Sequence, residues 1–420
     1  MITTGRRGAM RILGAGIAAG ALGTLGAPMV ARAQSAGYRL GLLTPLSGAS
    51  EMLGQAIRNG ATVTVEKINA EGGVNGRQIE LVVRDSKGRP DTATTAAREM
   101  IGDGCNLLFG AATSTEALAV SAILGQENAI MISAAAHSLR LTHEDFNRNF
   151  FRVTDNPYMR QRAQAKLMAE EYPDVLDWGG LVPDHEYGRS TWDSFTNGLN
   201  SYYPAIAGKT PRISPPILCQ YGGSDYRNYI AAAMRDPAQG FFNSLYGGDA
   251  VTLYQQAKPY GFFQKKKPLV DSANEFMVAR AMRSDLPDSW VGTHWYEGAF
   301  RGNPISDDLY ARLVKLDGNK FPEGFSAEGQ AAVLAYVAAL GKTGEPETEA
   351  VIGALEGLTF DSACGPRTIR AEDHQAIKPV VLTRLRGAKT EDGIEVVDFR
   401  VIPGPEVMDA PTPGAPVKWS

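Results

Sequence analysis

The sequence predicts an α/β fold built from two successive parallel-sheet units. Short apolar runs alternate along the chain with longer segments whose apolar residues recur at helical spacing. Glycine-rich and polar stretches separate these segments, as turns do. Strands that alternate with helices in this way are typical of a parallel sheet covered by helices on both faces. The alternation pauses at residues 152–157 and then restarts, which indicates two similar units in series.

The first unit opens with an apolar run at residues 38–43, which predicts a buried strand. Ile57 and Ala61 then share one helical face, and Gly72-Gly73 ends that helix. The further elements predicted in this unit are a strand at 79–83, a helix around 93–100, a strand at 107–110, a helix at 114–126 and a strand at 129–133.

The second unit repeats the same alternation. Its predicted helices are 159–171, 187–201, 226–235 and 252–261, and its predicted strands are 178–182, 217–221, 241–246, 269–270 and 290–291. Two more helices are predicted at 328–340 and 347–356, and the proline-rich tail from Pro403 is predicted to be irregular.

The first 33 residues have the pattern of an export signal. Arg6-Arg7 is followed by a mildly apolar stretch at residues 12–30 and by an Ala-Arg-Ala cleavage motif at residues 31–33. The paired arginines favour the twin-arginine route, although no strongly apolar pair follows them and general secretion stays an alternative. A membrane anchor is the other alternative, and it would need a longer run with less glycine. We therefore expect a mature periplasmic protein that begins after residue 33.

Composition excludes several classes of function. The chain carries 42 Lys and Arg against 46 Asp and Glu, without a basic stripe, which argues against a nucleic-acid partner. The three cysteines, Cys105, Cys219 and Cys364, make an odd count, so at least one is free or pairs outside the chain. No Cys/His spacing predicts a metal site, and we expect neither a metal nor a cofactor.

Ligands of parallel α/β sheets bind beyond the carboxyl ends of the strands. The polar residues that matter should therefore lie in the loops that follow the predicted strands. These loops are 46–53, 111–115, 134–138, 184–187, 246–249 and 271–274.

Seven segments, in chain order, give the sequence a family resemblance. The most specific are LTPLSG at 43–48, INAEGGVNGRQIEL at 68–81 and FGAATSTEA at 109–117. The others are IMISAAAHS at 130–138, HEYGRS at 185–190, YGGDA at 246–250 and QAKPYG at 256–261. With these segments the chain resembles the periplasmic solute-binding proteins of the branched-chain amino-acid and amide type, the leucine-binding protein-like family. Such proteins deliver a ligand to an ABC importer.

The resemblance implies two Rossmann-like lobes that are joined by three hinge crossings and that close over a ligand in the cleft. The crossings would lie near 152–157, 291–295 and 365–371. The first lobe would comprise 37–155 and 292–366, and the second lobe 156–291 and 367–420. The implied protein is a monomer whose partners are a small-molecule ligand and the ABC permease subunits.

Residues 113–116, Thr-Ser-Thr-Glu, fit a helix capping box, and starting a helix is one interpretation of them. The resemblance adds that Ser114, with Thr115 and nearby backbone N–H groups, holds the ligand carboxylate at the helix N-terminus. Glu116 would oppose a second carboxylate there unless it points to solvent.

The resemblance also implies a backbone contact at Ala135 and a side-chain contact at His137, where branched-chain binders carry a hydroxyl residue that helps to hold the ammonium. A neutral imidazole accepts a hydrogen bond, whereas a protonated one repels an ammonium. A surface histidine without a ligand is the alternative. Tyr187 and Tyr246 match aromatic positions that close over the ligand from the second lobe, and core packing is their alternative.

The family's acidic partner for the ligand's amino group falls near Asp271 and Ser272, with Ser272 at the aligned position. This departure, together with His137, argues against a simple α-amino acid. Branched-chain or other amino acids, short amides, urea and aromatic carboxylates are the ligands that the resemblance leaves open.

Two other classes of function compete with a carrier. An enzyme is disfavoured because the sequence has no G-x-S-x-G motif and no zinc-binding histidine pair. A sensor of the same fold, which reports a ligand to a signalling partner, is the main alternative. The export signal without a later membrane span favours a carrier.

Overall fold

The computed structural model describes residues 37–419, which form two parallel-sheet lobes and one small third sheet. The predicted export signal at residues 1–33 lies outside the described residues. Within the described part of the chain, no helix combines the length and the apolar character that crossing a membrane requires.

The first lobe is built on a five-stranded parallel sheet in the order β2-β1-β3-β4-β5. Its strands are β1 (Tyr38–Thr44), β2 (Ile79–Asp85), β3 (Leu107–Gly110), β4 (Ile130–Ser133) and β5 (Phe150–Arg152). Its first helices are α1 (Glu51–Ala70), α2 (Pro90–Gly102) and α3 (Ser114–Leu124). Each of these three helices follows a strand of the sheet, so the helix starts lie at the carboxyl edge, as the alternation predicted.

The second lobe is built on an eight-stranded sheet, in which β6 to β11 are parallel and two later strands, β15 and β16, are antiparallel. Its parallel strands are β6 (Asp177–Pro183), β7 (Arg212–Ile213), β8 (Ile217–Cys219), β9 (Gly240–Asn243), β10 (Leu269–Asp271) and β11 (Ser289–Thr293). Its helices are α4 (Pro157–Glu171), α5 (Glu186–Tyr202), α6 (Arg227–Arg235), α7 (Gly247–Ala257), α8 (Phe262–Lys265) and α9 (Phe276–Met282).

After β11 the chain returns to the first lobe through α10 (Pro304–Asp317), α11 (Phe325–Thr343) and α12 (Thr348–Leu355). Helix α11 lies directly against α1: a Cβ atom at Gly60 would come within 1.8 Å of the Ser326 carbonyl oxygen. Only glycine therefore permits this close approach of the two backbones. Tyr336 of α11 also donates a hydrogen bond to the Leu108 carbonyl of β3, at 2.6 Å.

The chain ends with a small antiparallel sheet and a hairpin. The small sheet contains β12 (Thr359–Ser362), β13 (Gly365–Ile369) and β14 (Ala376–Ile377), and the hairpin consists of β15 (Val380–Gly387) and β16 (Ile394–Ile402). The boundary expected at residues 366 and 367 falls inside β13, which pairs with β12 over its whole 365–368 segment. Strand β15 is the first of these strands to join the eight-stranded sheet, where it pairs with β11.

Candidate ligand-binding site

A cavity lies between the lobes, at the carboxyl edges of both parallel sheets. Its lining residues from the first lobe include Ser50, Leu53, Thr113, Ser114, Thr115, Ala135, His137 and Phe325. Its lining residues from the second lobe are His185, Tyr187, Tyr221, Tyr246, Gly247, Ala273 and Met277. Six of the eight predicted site residues therefore lie on one cavity.

The start of α3 is a complete capping box. The Glu116 backbone N–H donates to the Thr113 hydroxyl at 3.3 Å, and the Glu116 carboxylate accepts from the Thr113 N–H at 3.0 Å and from its hydroxyl at 2.7 Å. Glu116 is fully buried and does not point to solvent, which corrects that expectation. Burial raises the pKa of the Glu116 carboxyl, because loss of contact with water disfavours its ionised form.

Ser114 offers a free hydroxyl proton to the cavity. Its Oγ accepts a hydrogen bond from the Ser138 backbone N–H at 3.0 Å, which leaves the hydroxyl hydrogen available as a donor. The backbone N–H groups of Ser114 and Thr115 belong to the first turn of α3, where N–H groups have no intrahelical acceptor. Donors at a helix N-terminus suit an anionic group of a ligand.

His137 occupies the loop after β4 and is linked to a second histidine behind the cavity wall. Its Nε2 lies 3.2 Å from Nε2 of His294, and Nδ1 of His294 is hydrogen-bonded to Glu275 Oε1. Burial, with the positive charge of Arg160, holds the pKa of both imidazoles well below their ordinary value. Both rings are therefore neutral near pH 7.

A buried ionic cluster lies beneath these histidines and brings together residues from widely separated parts of the chain. Arg160 donates to both oxygens of Asp155, at 2.9 and 2.6 Å, and Lys378 Nζ lies 3.6 Å from Asp155 Oδ1. Although burial opposes ionisation, Arg160 and Lys378 hold the pKa of Asp155 well below its ordinary value. Lys378 also lies 3.2 Å from Glu328, which is paired with Arg367. The carboxylates in this cluster are thus balanced by cations.

Three members of this region have a geometry that could suit a metal ion. One ligand atom each of His137, His294 and Asp155 lies within 4.8 Å of the others. Sequence spacing missed the group because its members come from three separate loops. The charge of Asp155 already balances Arg160 and Lys378, and these two cations would oppose a third positive charge. We therefore assign the contact between the two imidazoles to a hydrogen bond.

The second lobe closes the cavity with aromatic rings. The rings of Tyr187 and Tyr246 meet edge to face at 5.4 Å, and those of Tyr221 and Tyr246 stack at 4.6 Å. His185 packs edge-on against Tyr221 at 5.6 Å. Burial raises the pKa of Tyr221 to about 12 and that of Tyr187 further, so the phenols stay protonated. The predicted site residues did not include Tyr221, which ends the predicted strand 217–221, or His185, which lies in the predicted loop 184–187, although both line the cavity.

The lobes touch across the mouth of the cleft. The Ser138 hydroxyl of the first lobe donates to Glu186 Oε1 of the second lobe at 2.7 Å. The hydroxyls of Ser50 and Tyr221 lie 3.3 Å apart. These contacts describe a closed cleft.

Comparison with known proteins now identifies the family. Residues 37–391 match the family described as periplasmic binding protein. The chain belongs to the periplasmic binding protein family. It is 30% identical over 337 residues to the Leu/Ile/Val-binding protein BraC3 of Rhizobium johnstonii. This alignment covers 78% of this chain and 86% of that protein. It is 24% identical over 328 residues to the leucine-, isoleucine-, valine-, threonine- and alanine-binding protein of Pseudomonas aeruginosa, covering 78% and 84%.

Solved structures of periplasmic binding proteins share the two-lobed fold. The Streptococcus pneumoniae LivJ complex with isoleucine has a TM-score of 0.74 at 17% identity and covers 87% of this chain and 99% of that one. A Rhodopseudomonas palustris BisB5 solute-binding protein with 3,4-dihydroxybenzoic acid has a TM-score of 0.75 at 17% identity, covering 87% and 97%. An R. palustris solute-binding protein with benzoate has a TM-score of 0.74 at 17% identity, covering 91% and 98%.

Two predicted site residues of this family member lie behind the cavity wall. Ser272 bonds to the Tyr187 hydroxyl at 2.8 Å and accepts from the Gln161 amide at 2.9 Å. Asp271 accepts a hydrogen bond from the Tyr254 hydroxyl, and burial raises its pKa to about 7. Ser272 thus positions a lining tyrosine, whereas Asp271 supports the core. A ligand contact by either stays a prediction, as it does for the six residues on the cavity.

The cysteines of this periplasmic binding protein do not pair with one another. Cys105, Cys219 and Cys364 are free and buried. Burial raises the pKa of Cys105 to about 11 and that of Cys219 to about 12, so both behave as inert core thiols.

Proposed function

We propose that this protein is the periplasmic solute-binding component of an ABC transporter, and that it delivers a small carboxylate-bearing solute to a membrane permease. The observation that carries the proposal is the cavity, where the N-terminus of α3 faces a wall of tyrosines. Family membership and relatives described as binding leucine, isoleucine and valine support the carrier function.

The carboxylate would lie at the start of α3. The Ser114 hydroxyl and the first-turn N–H groups donate there, and the helix dipole favours a negative charge. The opposing carboxyl, Glu116, has a raised pKa and already accepts two hydrogen bonds from Thr113, so it is turned onto the helix start.

The body of the solute would be aromatic or otherwise apolar. Tyr187, Tyr221 and Tyr246 supply flat apolar surface, and ring burial is a large source of binding free energy. Among the described residues that line the cavity, none is Asp or Glu, so the ammonium of an amino acid would be buried without an anionic partner. The benzoate and 3,4-dihydroxybenzoic acid named for two structural neighbours are consistent with an aromatic acid. Amino acids and amides are the alternatives.

Capture would proceed by hinge closure. We propose a first lobe of residues 37–155 and 292–377 and a second lobe of 156–291 and 380–420, in line with strand pairing. The Arg6-Arg7 signal would direct export to the periplasm, where the mature protein would act as a monomer.

A binding screen tests the proposal. We expect benzoate and 3,4-dihydroxybenzoate to raise the melting temperature of the purified protein, because a solute that binds only the folded state stabilises it. Leucine, isoleucine and acetamide serve as the amino-acid and amide arms. Calorimetric binding of leucine that is tighter than that of benzoate would overturn the aromatic preference.

Deletion of the gene separates a carrier from a sensor. A carrier mutant loses uptake of the solute found in the screen, whereas a sensor mutant keeps uptake and loses induction of solute-responsive genes. Retained uptake would therefore overturn the proposed transport function.

A further inference from the structure

A second group of hydroxyls lines the cavity beside the start of α3. Ser50 lies in the loop between β1 and α1, and Tyr221 and Tyr246 follow β8 and β9 of the second lobe. Strand β1 pairs with β3, and the loop after β3 leads to Ser114. This second group and the proposed carboxylate site therefore line one cavity from neighbouring strand ends. We call Ser50, Tyr221 and Tyr246 the hydroxyl cluster.

Contacts bring the three members of the hydroxyl cluster together. The hydroxyl oxygens of Ser50 and Tyr221 lie 3.3 Å apart and belong to different lobes. The rings of Tyr221 and Tyr246 stack with their centroids 4.6 Å apart and their planes inclined by 26°. Burial raises the pKa of Tyr246 well above its ordinary value, and the neighbouring phenol of Tyr221 adds to that rise. Both phenols therefore keep their protons near pH 7.

The hydroxyl cluster is not committed to the protein around it. Within residues 37–419, no N–H group donates to its three oxygens, and no carbonyl or carboxylate accepts from them. By contrast, the Tyr187 hydroxyl bonds to Ser272, and Ser114 Oγ accepts from the Ser138 N–H. A hydroxyl carries one proton, and its oxygen accepts as well as donates. Three protons cannot fill all the acceptor positions of the cluster, so it has capacity for a polar group of a ligand.

The charges around the hydroxyl cluster favour a neutral polar group. Among the described residues that line the cavity, none is Lys or Arg. The His185 ring packs against Tyr221 at 5.6 Å, and burial, with the charge of Arg189, lowers the pKa of this imidazole. The carboxyl of Asp249 lies close enough to Tyr221 to contribute to the raised pKa of that phenol. A second carboxylate of a solute would therefore meet an acid and no cation, whereas a hydroxyl has no charge to balance and both donates and accepts.

We propose that the hydroxyl cluster is a subsite for a neutral hydroxyl on the body of the solute. The cavity consequently prefers an aromatic acid with a hydroxyl on its ring to the same acid without one. Ser50, Tyr221 and Tyr246 are the specificity-determining residues, and a bound hydroxyl contacts both lobes in the closed cleft. The inference rests on the proposed function and narrows its solute class to hydroxylated aromatic acids.

Matched probes test this preference by calorimetry. The 3- and 4-hydroxybenzoates are compared with the 3- and 4-methylbenzoates, in which a methyl group of similar size replaces the hydroxyl. We expect at least one hydroxybenzoate to bind about tenfold more tightly than its methyl counterpart, because the methyl group leaves the polar atoms of the subsite unpaired. Methylbenzoates that bind as tightly as hydroxybenzoates at both ring positions would overturn the proposal.

A second carboxylate is the competing group for the same subsite. Isophthalate and terephthalate carry this carboxylate at the 3 and 4 positions of the ring. We expect both to bind more weakly than the hydroxybenzoates, because the subsite offers no cation. Tighter binding of either dicarboxylate would overturn the selection of a neutral hydroxyl.

Failure of this inference differs from failure of the proposed function. Binding of benzoate without any preference for a ring hydroxyl would overturn the subsite and leave the carrier proposal standing. Absence of binding by every carboxylate would count against both.

The Tyr221→Phe variant removes one hydroxyl of the cluster and keeps the ring. We expect the advantage of the preferred hydroxybenzoate over its methyl counterpart to fall from about tenfold to about twofold, since one hydrogen-bond partner is lost. Tyr229→Phe is the matched control and should keep the full advantage. Its hydroxyl accepts the Gln220 backbone N–H at 3.4 Å, and Tyr229 is not among the described residues that line the cavity.

The Ser50→Ala variant tests the contribution of the first lobe to the same subsite. We expect it to lower the hydroxybenzoate advantage as well, because Ser50 supplies the hydroxyl that faces Tyr221 across the cleft. Circular dichroism establishes that both variants are folded. An advantage that survives both substitutions in folded protein would overturn the subsite.

Discussion

The two faces of the cleft differ in the kind of group that they offer. The first-lobe face presents the Ser114 hydroxyl, the N–H groups of the α3 start and the ring of His137, whereas the second-lobe face presents the rings of Tyr187, Tyr221 and Tyr246. Hydrogen bonds are directional and weak in net terms, while apolar burial is non-directional and scales with area. We infer that the first lobe orients a solute and that the second lobe adds most of the affinity on closure.

The largest effect on binding affinity should come from removing an aromatic ring of the second-lobe face. Tyr187→Ala is expected to weaken benzoate binding by about 3 kcal/mol, because the substitution removes most of a buried aromatic side chain from the wall. Tyr187→Phe is the control, since it loses only the hydroxyl contact with Ser272 and should cost about 1 kcal/mol or less. Calorimetry measures both dissociation constants. Similar losses of affinity in the two variants would show that Tyr187 contributes through its hydroxyl and not through its ring. The contrast between a polar first-lobe face and an apolar second-lobe face would then fail.

A smaller loss of binding affinity is expected from a substitution on the polar, first-lobe face of the cleft. Ser114→Ala should weaken binding of the same carboxylate by about 1–3 kcal/mol, because a buried charge loses one donor. Ser121→Ala is the matched control, since Ser121 is a buried serine further along α3 that does not line the cavity. A dissociation constant unchanged by Ser114→Ala would remove Ser114 from the site.

The second lobe contains a buried acid, Asp271, which lies behind the surface that lines the cavity. Asp271 has a pKa of about 7 in place of its ordinary 3.8, so the folded protein keeps a proton that the unfolded chain has lost. Its stabilising effect is complete below about pH 4 and is lost as the pH rises through about 7.

Asp271→Asn should therefore gain about 1 kcal/mol in free energy of unfolding, relative to the wild type, between pH 6 and pH 8. Urea denaturation at these two pH values measures the difference. Asp225→Asn is the control, because the pKa of the exposed Asp225 is about 2 and it does not titrate in this range. A pH-independent difference would mean that Asp271 is ionised and that the second-lobe face is charged.

The smallest effect on binding affinity should come from weakening the hydrogen bond that joins the two faces of the cleft. Glu186→Gln weakens the hydrogen bond from the Ser138 hydroxyl across the cleft, which should raise the dissociation constant about two- to fivefold by favouring the open form. Small-angle scattering without solute should show a more open average shape. Glu170→Gln, at an exposed position on α4, is the control. No change in either measurement would show that closure does not depend on this contact.

The sequence predicted the parallel part of the fold because periodicity records which side chains are buried. The strands β1, β3 and β4 are apolar runs whose residues are mostly buried, whereas β2 is a half-buried strand with alternating apolar residues, and all four were located within a residue or two. The prediction lacked the strands β5, β7 and β12 to β16 and the helices α8, α9 and α10. In β15 and β16 the charged residues Arg384, Arg386, Asp398 and Arg400 make ion pairs on the lobe surface, so these strands lack a continuous apolar run such as that of β1.

The sequence predicted only those parts of the site that lie in short motifs of consecutive residues. Family resemblance located Ser114, Ala135 and Tyr246, which follow strands directly and line the cavity. It did not separate Asp271 and Ser272 from the neighbouring lining residue Ala273, because the path of the chain after β10 decides which residue reaches the cleft. The Glu275–His294–His137 chain was missed because only tertiary packing brings its members together.

The ionic cluster under the cleft constrains how the lobes can swing apart. Asp155, His294 and Lys378 come from three widely separated segments of the chain, yet Asp155 lies within about 4 Å of both of the others. Pulling one charge away from its partners would leave another unbalanced in a dry interior, which typically costs 3–5 kcal/mol. We therefore propose that this cluster stays intact when the cleft opens, and that the backbone on either side of it takes up the bending.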